Sequence, residues 1–284
     1  MTEERIIKMP AEWGGVVPTE AFLEQGRKIV EEATTAKIPL RLIGGVAIRV
    51  HSDEYADFAR RLGRLGPKEQ EYTDLDFMSY AKFRDNVRKF FESVGYRKRR
   101  ATLSSAATQR QIYFHPDGWF YADVFFDKLL AANHPIDFRG RLEMDSPTIS
   151  LVDLLLEKLQ IVSFSEKDLK DTLLLLRAHS LGEGHAPETI DMRYVASLLS
   201  KDWGFWYTVT TNLKGLQKVA SEMTELNDAE RNDVTSKISK LLEVIENEPK
   251  TTGWKMRSKI GSRKRWYEPV ETSQTVGEFG IWRL

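Results

Sequence analysis

Apolar residues recur at a helical period near the start of the chain and predict a first helix. Within residues 19–37, the apolar positions that share one face are Phe22, Ile29, Val30 and Ala33. Pro39 ends the pattern, because proline has no backbone N–H to continue a helix. The run LRLIGG at 40–45 then predicts a short buried strand that turns sharply through Gly44 and Gly45 into a second helix.

Between residues 73 and 127 the pattern predicts strands around one helix. The segment TDLDFMSY at 73–80 alternates between polar and apolar positions, and an amphipathic helix follows at 81–96. Three segments rich in Tyr, Phe, Ile, Val and Thr predict further strands, at 96–103, 108–115 and 119–127. The turn sequence HPDG separates the last two, which indicates a hairpin.

From Ser150 onward the apolar period becomes helical. The predicted helices lie within 151–164, 165–180, 191–200, 203–223 and 229–246. Residues 181–189, LGEGHAPET, predict a loop between them. The pattern therefore predicts an α+β fold, in which a mixed sheet with flanking helices precedes an all-helical C-terminal region. We place the domains at 1–148 and 149–284, divided near Pro147.

Composition excludes several kinds of chemistry. The chain has no Cys, which excludes disulfides, thiolate catalysis and Cys-ligated metals, and its five His do not fall at metal-ligand spacing. Lys plus Arg and Asp plus Glu number 42 each, so a nucleic-acid partner can be argued only from local clusters. No run approaches the roughly 18 apolar residues of a membrane helix. We expect a soluble, cytoplasmic protein without a membrane partner.

Three aspartates are candidates for a metal site. Asp74 and Asp76 are two apart in a predicted strand, so their side chains leave the same face and can share a divalent cation. Asp123 lies in the apolar run FYADVFFD, where an acid alone is a poor choice for stability. Carboxylate oxygens and substrate phosphates are the ligands that Mg²⁺ prefers. The alternatives are that the pair decorates an exposed strand edge and that Asp123 caps a turn or pairs with an arginine.

The Gly44-Gly45 turn is a candidate anion site. Glycine has no Cβ, so backbone N–H groups at the start of the following helix stay open to a phosphate. Tight packing is the alternative explanation for two glycines at a strand-to-helix turn. The chain has no Walker lysine and no GxGxxG pattern to decide between them.

The order of these motifs resembles the nucleotidyltransferase superfamily of the DNA polymerase β type, over about residues 38–127. The resemblance implies a nucleotidyltransferase-like sheet in which Gly44 and Gly45 hold the triphosphate of an NTP. It also implies that Asp74, Asp76 and Asp123 bind two Mg²⁺, or Mn²⁺, and that Asp123 can deprotonate the acceptor hydroxyl. The sequence departs from the family at Gly45, where many members have Ser. The long stretch between Gly45 and Asp74 further indicates an inserted helix or lid.

Lys158 rises from an apolar helical stripe, with Leu154, Leu155, Ile161 and Val162 as its neighbours one turn away. A buried ammonium requires an anion, either a carboxylate or a substrate phosphate, whereas a snorkelling lysine would keep its charge in water. This segment resembles the AbiEii-like abortive-infection branch of nucleotidyltransferases, with Lys158, Asp168 and Asp171 at the matching positions. The resemblance implies a catalytic and nucleotide-binding role for Lys158 and a toxin with an antitoxin protein as partner. Ser165 and Asp168 also form a candidate helix-capping pair.

Two basic clusters are candidates for contacts with nucleic acid. They are RKRR at 97–100 and the segment 254–267, which holds six Lys or Arg and no acid among Trp254, Trp266 and Tyr267. Basic groups spaced along aromatic surfaces suit an RNA strand, although such a run can also be a solvated face. We expect a Mg²⁺-dependent nucleotidyltransferase that moves an NMP from an NTP to a hydroxyl acceptor. The acceptor is an RNA end, a protein hydroxyl or a small molecule, and the toxin-like resemblance and the basic segment 254–267 favour RNA. The alternative is a catalytically silent nucleotidyltransferase-like module that binds RNA or a protein.

Overall fold

A computed structural model describes residues 8–65, 70–99, 110–130, 132–184, 186 and 188–270. Its contacts divide the chain into two compact units. The first, here called the sheet unit, comprises Met1–His51, Leu65–Ala131 and Pro135–Ser150. The second, the helical unit, comprises Ser52–Arg64, Ala132–His134 and Leu151–Leu284. The predicted domains, 1–148 and 149–284, stay a prediction.

The sheet unit is built around one mixed sheet. Its strands are β1 Leu40–Ile43, β2 Asp74–Ser79, β3 Arg97–Lys98, β4 Gln111–Phe114, β5 Tyr121–Phe126, β6 Lys128–Leu129 and β7 Ile136–Asp137. The main order is β1-β2-β5-β4-β3, with β6 pairing with β5 and β7 with β6. The β2–β5 pair is parallel, whereas the β1–β2 and β4–β5 pairs are antiparallel. The predicted mixed sheet is therefore confirmed.

Local sequence signals account for most elements of this unit. Its helices are α1 Thr19–Thr35, α2 Gly44–His51 and α4 Arg84–Ser93, with short 3-10 turns at Ala11–Trp13 and Ala81–Phe83. The apolar face of α1 is buried, as its period predicted. The β4–β5 hairpin is confirmed, and its turn closes with the Gly118 N–H donating to the His115 carbonyl. Of the predicted strand 96–103, residues 97–98 form β3, and residues 100–103 lie outside the described ranges.

The helical unit holds seven helices in the described part of the chain. They are α3 Ala56–Leu62, α5 Leu151–Leu159, α6 Glu166–Ala178, α7 Met192–Leu199, α8 Trp203–Glu222, α9 Asp228–Asn247 and α10 Thr252–Ile260. Short 3-10 turns lie at Asp53–Tyr55 and Gly261–Arg263. Side-chain caps begin α6 at Ser165, α7 at Asp191, α8 at Asp202 and α9 at Asn227, so polar residues mark the helix starts. The α3 helix lies in the long stretch between Gly45 and Asp74, where the sequence predicted an inserted helix or lid.

The prediction that the C-terminal region is all helical was wrong at residues 180–191. Strands β8 Ser180–Gly182 and β9 Thr189–Asp191 pair in parallel there and form a two-stranded sheet. Three residues are too few to show a period, and the Ile190 side chain is buried next to α5, so tertiary contacts decide this pairing. Among the described helices, none is long and apolar enough to span a membrane.

Candidate functional site

Three carboxylates lie on one face of the sheet at the β2–β5 pair. The register places Asp76 directly beside Asp123 on the parallel neighbour, and paired residues on adjacent strands project to the same side. Asp74 lies two residues before Asp76 and shares that side. Neighbouring strands are only about 4.8 Å apart. The sheet therefore brings together the three aspartates that the sequence predicted as metal ligands.

The glycine turn lies directly against this acidic face. Ile43, the last residue of β1, pairs with Asp76, and Gly44 follows with a φ of 75°, in the region that favours glycine. A Cβ on Gly44 would lie 3.2 Å from the Asp76 Oδ2 atom, a distance too short for easy packing. Close packing thus explains Gly44, and the packing partner is one of the candidate metal ligands. Gly45 follows as the second, half-buried residue of α2.

The acidic face opens to solvent at the start of β2. Asp74 is exposed and Asp76 is half-buried, whereas the residues from Phe77 to Ser79 are buried on both faces of the strand. Asp123 is 8% exposed. Arg110 donates a hydrogen bond from its Nη1 atom to Asp123 Oδ2 at 2.9 Å. Asp123 therefore pairs with an arginine, as one of its predicted alternatives has it, while it also faces the other two acids.

Burial raises the pKa of the Asp123 carboxyl to about 6, because its charged form loses water. The Arg110 and Arg99 charges oppose this increase in the pKa, and the nearby negative charge of Asp74 adds to it. Burial is thus the largest cause of the raised pKa, and charges of both signs lie near the carboxyl. Carboxylate oxygens on one face of the sheet fit a hard divalent cation such as Mg²⁺.

Lys158 lies in a separate group of charges within the helical unit. Its Nζ atom on α5 is 3.2 Å from Asp168 Oδ1 and 3.1 Å from Asp171 Oδ2, both on α6. Arg64 binds Asp171 with two hydrogen bonds, from Nε at 2.8 Å and Nη2 at 3.1 Å. Two cations and two carboxylates therefore form a neutral network, here called the buried charge network.

The structure excludes the snorkelling alternative for Lys158, because the residue is 7% exposed. Burial alone would lower the pKa of its ammonium, but the Asp171 and Asp168 carboxylates outweigh burial and raise it. Burial likewise works against ionised Asp171, yet Lys158 and Arg64 lower the pKa of that carboxyl. The anion that Lys158 requires is thus supplied by the protein itself. The catalytic and nucleotide-binding role of Lys158 stays a prediction from the resemblance.

Asp168 serves two purposes in this network. It completes the predicted capping box with Ser165. The Ser165 hydroxyl and backbone N–H both donate hydrogen bonds to the Asp168 carboxylate. Its other oxygen faces Lys158. The capping prediction is confirmed, and the same carboxylate helps to neutralise the buried ammonium.

Two arginines of these clusters were missed by the sequence analysis. Arg64 lies in a charged stretch without apolar periodicity, and its chain separation from Asp171 is more than a hundred residues. Arg110 lies just before β4, where nothing local distinguishes it from a solvated charge. Only strand register and helix packing bring these two guanidinium groups to their acids.

The aromatic residues of the basic segment 254–267 anchor it to α8. Trp254 packs edge-on against Trp206, and Trp266 donates a hydrogen bond from Nε1 to Thr208 Oγ1 at 3.0 Å. The exposed basic side chains of this segment are Lys255, Lys259, Arg263, Lys264 and Arg265. They therefore belong to an anchored surface. Of the other cluster, RKRR, Arg97 stacks over Phe114, and Arg100 lies outside the described residues.

Replacing Gly44 with alanine should distort the acidic face beyond the cost of backbone strain. A positive φ costs a non-glycine residue about 1–2 kcal/mol, and the new Cβ would also push Asp76. Affinity for Mn²⁺, measured calorimetrically, should fall by about 10- to 100-fold, as when a ligand-orienting group is disturbed. Gly140→Ala is the matched control, because Gly140 has a φ of 73° and a Cβ added there would meet nothing within 4 Å. Equal Mn²⁺ affinities in the two variants would contradict this expectation.

The raised pKa of Asp123 predicts a pH dependence of stability. The folded protein holds this proton more tightly, so the stabilising contribution is complete below the ordinary value of 3.8 and is lost as pH rises through about 6. Asp123→Asn does not titrate. Its free energy of unfolding relative to the original chain should therefore increase by about 2 kcal/mol between about pH 4.5 and 7.5. Urea denaturation in EDTA at both pH values measures this, and a flat difference would contradict the assigned burial.

A scan against protein-family models and a search of curated protein sequences return no match to this chain.

Proposed function

We propose that the chain is a Mg²⁺-dependent nucleotidyltransferase that moves an NMP from an NTP to a hydroxyl acceptor. The observation that carries this proposal is the β2–β5 register, which places Asp76 beside Asp123 with Asp74 on the same face. The Gly44 turn packs against that face. A strand, a glycine turn and three carboxylates in this arrangement are what the resemblance to the DNA polymerase β type implies.

Each group of the site has a chemical task in this proposal. Asp74, Asp76 and Asp123 would hold the divalent cations, which supply charge for the phosphates and acidify the attacking hydroxyl. Backbone N–H groups at the Gly44-Gly45 turn, where α2 begins, would orient the phosphates. The resemblance implies that Asp123 also accepts the proton of the acceptor hydroxyl. The protein thus orients the reactants and neutralises charge, with no need for a nucleophilic side chain.

The proposal is tested by measuring transfer of a radiolabelled NMP from an NTP to an acceptor. The full chain is incubated with Mg²⁺, each α-³²P-labelled NTP in turn and total RNA or cell extract. We expect labelled acceptor and released pyrophosphate, both abolished by EDTA. Absence of pyrophosphate with all four nucleotides and every acceptor would overturn the proposal.

A second candidate is the silent module that binds RNA, and the anchored basic surface favours it. The exposed cations of segment 254–267 face solvent next to a helix whose aromatic residues are already engaged. Such a surface attracts a phosphate backbone with or without catalysis. RNA binding that persists in EDTA, without metal-induced thermal stabilisation or pyrophosphate release, would favour this candidate.

The basic surface also provides the test of RNA as acceptor. Lys255→Glu together with Lys259→Glu reverses two charges one turn apart on α10. RNA binding by fluorescence anisotropy should weaken and its salt dependence should become shallower. Lys240→Glu on α9 is the control, because Lys240 is similarly exposed and pairs only locally with Glu243. The antitoxin partner stays a prediction from the resemblance.

A further inference from the structure

Asp123, the third carboxylate of the acidic face, forms an ion pair with Arg110. Arg110 contacts Asp123 through one guanidinium nitrogen at 2.9 Å. The Asp123 side chain is 11% exposed and that of Arg110 is 30% exposed, so the arginine is the more accessible partner of the pair. The contact therefore engages Oδ2 of a carboxylate that the proposed metal ion would also use.

Strand register explains why an arginine can reach this acid. Ile112 of β4 pairs with Asp123 of β5, and Arg110, two residues before Ile112, shares the same face of the sheet. On the far side of β4, the Arg99 backbone N–H donates to the Ile112 carbonyl at 2.8 Å. The face thus carries acids on β2 and β5 and positive charges at the β3–β4 edge.

A divalent cation and Arg110 cannot share Asp123 without repulsion. Like charges repel more strongly at short distance and where water is partly excluded, and a dication carries twice the charge of a guanidinium. The Arg110 side chain is 30% exposed and its guanidinium also lies 6.0 Å from the centre of the Phe125 ring, so leaving Asp123 requires a change of side-chain rotamer. Its planar set of donors matches the oxygens of a phosphate group, which an incoming nucleotide supplies.

We propose that Arg110 is a nucleotide-binding residue that neutralises Asp123 in the absence of ligand and pairs with the nucleotide phosphates when a metal ion takes Asp123. This inference rests on the proposed function, because it requires both a metal and a phosphate at the acidic face. It assigns to Arg110 an exchange of partners, from carboxylate to phosphate. The exchange replaces one set of hydrogen bonds with another, and no covalent bond is made or broken.

Arg110→Met tests the effect of Arg110 on metal binding and on phosphate binding separately. The substitution keeps an apolar side chain and removes the positive charge. Calorimetry on the full chain with Mn²⁺ alone should show tighter binding, by about 10-fold, since the competing cation is gone. Inorganic tripolyphosphate, added in the presence of Mg²⁺, serves as a probe that is independent of the base. Its affinity should fall by about 10- to 100-fold, the usual loss for one charge-assisted hydrogen bond.

Arg88→Met is the matched control for these titrations. Arg88 on α4 also forms ion pairs, with Glu92 and Asp85, and its side chain is 35% exposed. This variant should change neither affinity. Arg110→Lys is the second variant, in case the methionine form does not fold, and it should keep the melting temperature while weakening tripolyphosphate binding.

The outcomes distinguish the inference from the proposed function. If the original chain binds neither Mn²⁺ nor tripolyphosphate, both are overturned. If the original chain binds both and the Arg110 variants change neither affinity, the inference alone is overturned. A fall of both affinities in a folded Arg110→Met variant would also overturn it, since Arg110 would then only support the shape of the acidic face.

Discussion

Asp74→Asn and Asp76→Asn should each lower nucleotidyl transfer by about 10³-fold or more, since a lost metal ligand removes several kcal/mol of transition-state stabilisation. The fold should survive both changes. Asp76 lies beside Asp123 in the sheet, so loss of its charge relieves repulsion among the acids when metal is absent. Initial rates of pyrophosphate release, together with thermal melts with and without Mg²⁺, measure the two effects separately.

Asp85→Asn is the control for these substitutions. Asp85 lies at the start of α4 in the same unit, and its side chain is 86% exposed. This variant should keep both its activity and its response to Mg²⁺. Full activity in Asp74→Asn or Asp76→Asn would remove that residue from the metal site, and loss of folding would indicate a structural acid instead.

Lys158→Met should destabilise the protein by about 3–5 kcal/mol, the usual cost of removing one partner from a buried ion pair. The variant keeps the apolar stem of the side chain, but it removes the one cation that the described contacts place against both Asp168 and Asp171, and Arg64 contacts Asp171 alone among them. If the lysine serves only this network, activity should fall in proportion to the folded fraction, whereas the catalytic role that the resemblance implies predicts a larger loss. Urea denaturation measures the stability, and the thermal shift on adding Mg²⁺ and NTP reports ligand binding.

Lys240→Met is the matched control, with the same substitution in an exposed ion pair. Lys240 lies 3.0 Å from Glu243, and both side chains are more than half exposed. Its loss should cost no more than about 0.5 kcal/mol, as for most surface pairs. If Lys158→Met instead kept its stability and lost the ligand-induced shift, the lysine would bind phosphate and the buried charge network would not depend on it.

The sequence by itself determined most of the elements and the faces that they bury. Period-two alternation placed the acids of β2 on one face, and a helical period placed Phe22 and Val30 in the core. Turn residues at 115–118 located the hairpin, and Ser165 located the start of α6. Each of these signals depends on a few neighbouring residues, because side-chain direction and turn geometry are local properties of the backbone.

Tertiary structure alone decided which charges meet. The sequence placed Asp76 and Asp123 on separate strands, but only the parallel β2–β5 register makes them neighbours, and only the β4–β5 register turns Arg110 towards Asp123. Helix packing likewise brings Asp168 and Asp171 to Lys158. The physical reason is that register and packing depend on hydrogen bonds and contacts between distant segments, whereas a local pattern specifies only which way a side chain points from its own strand or helix.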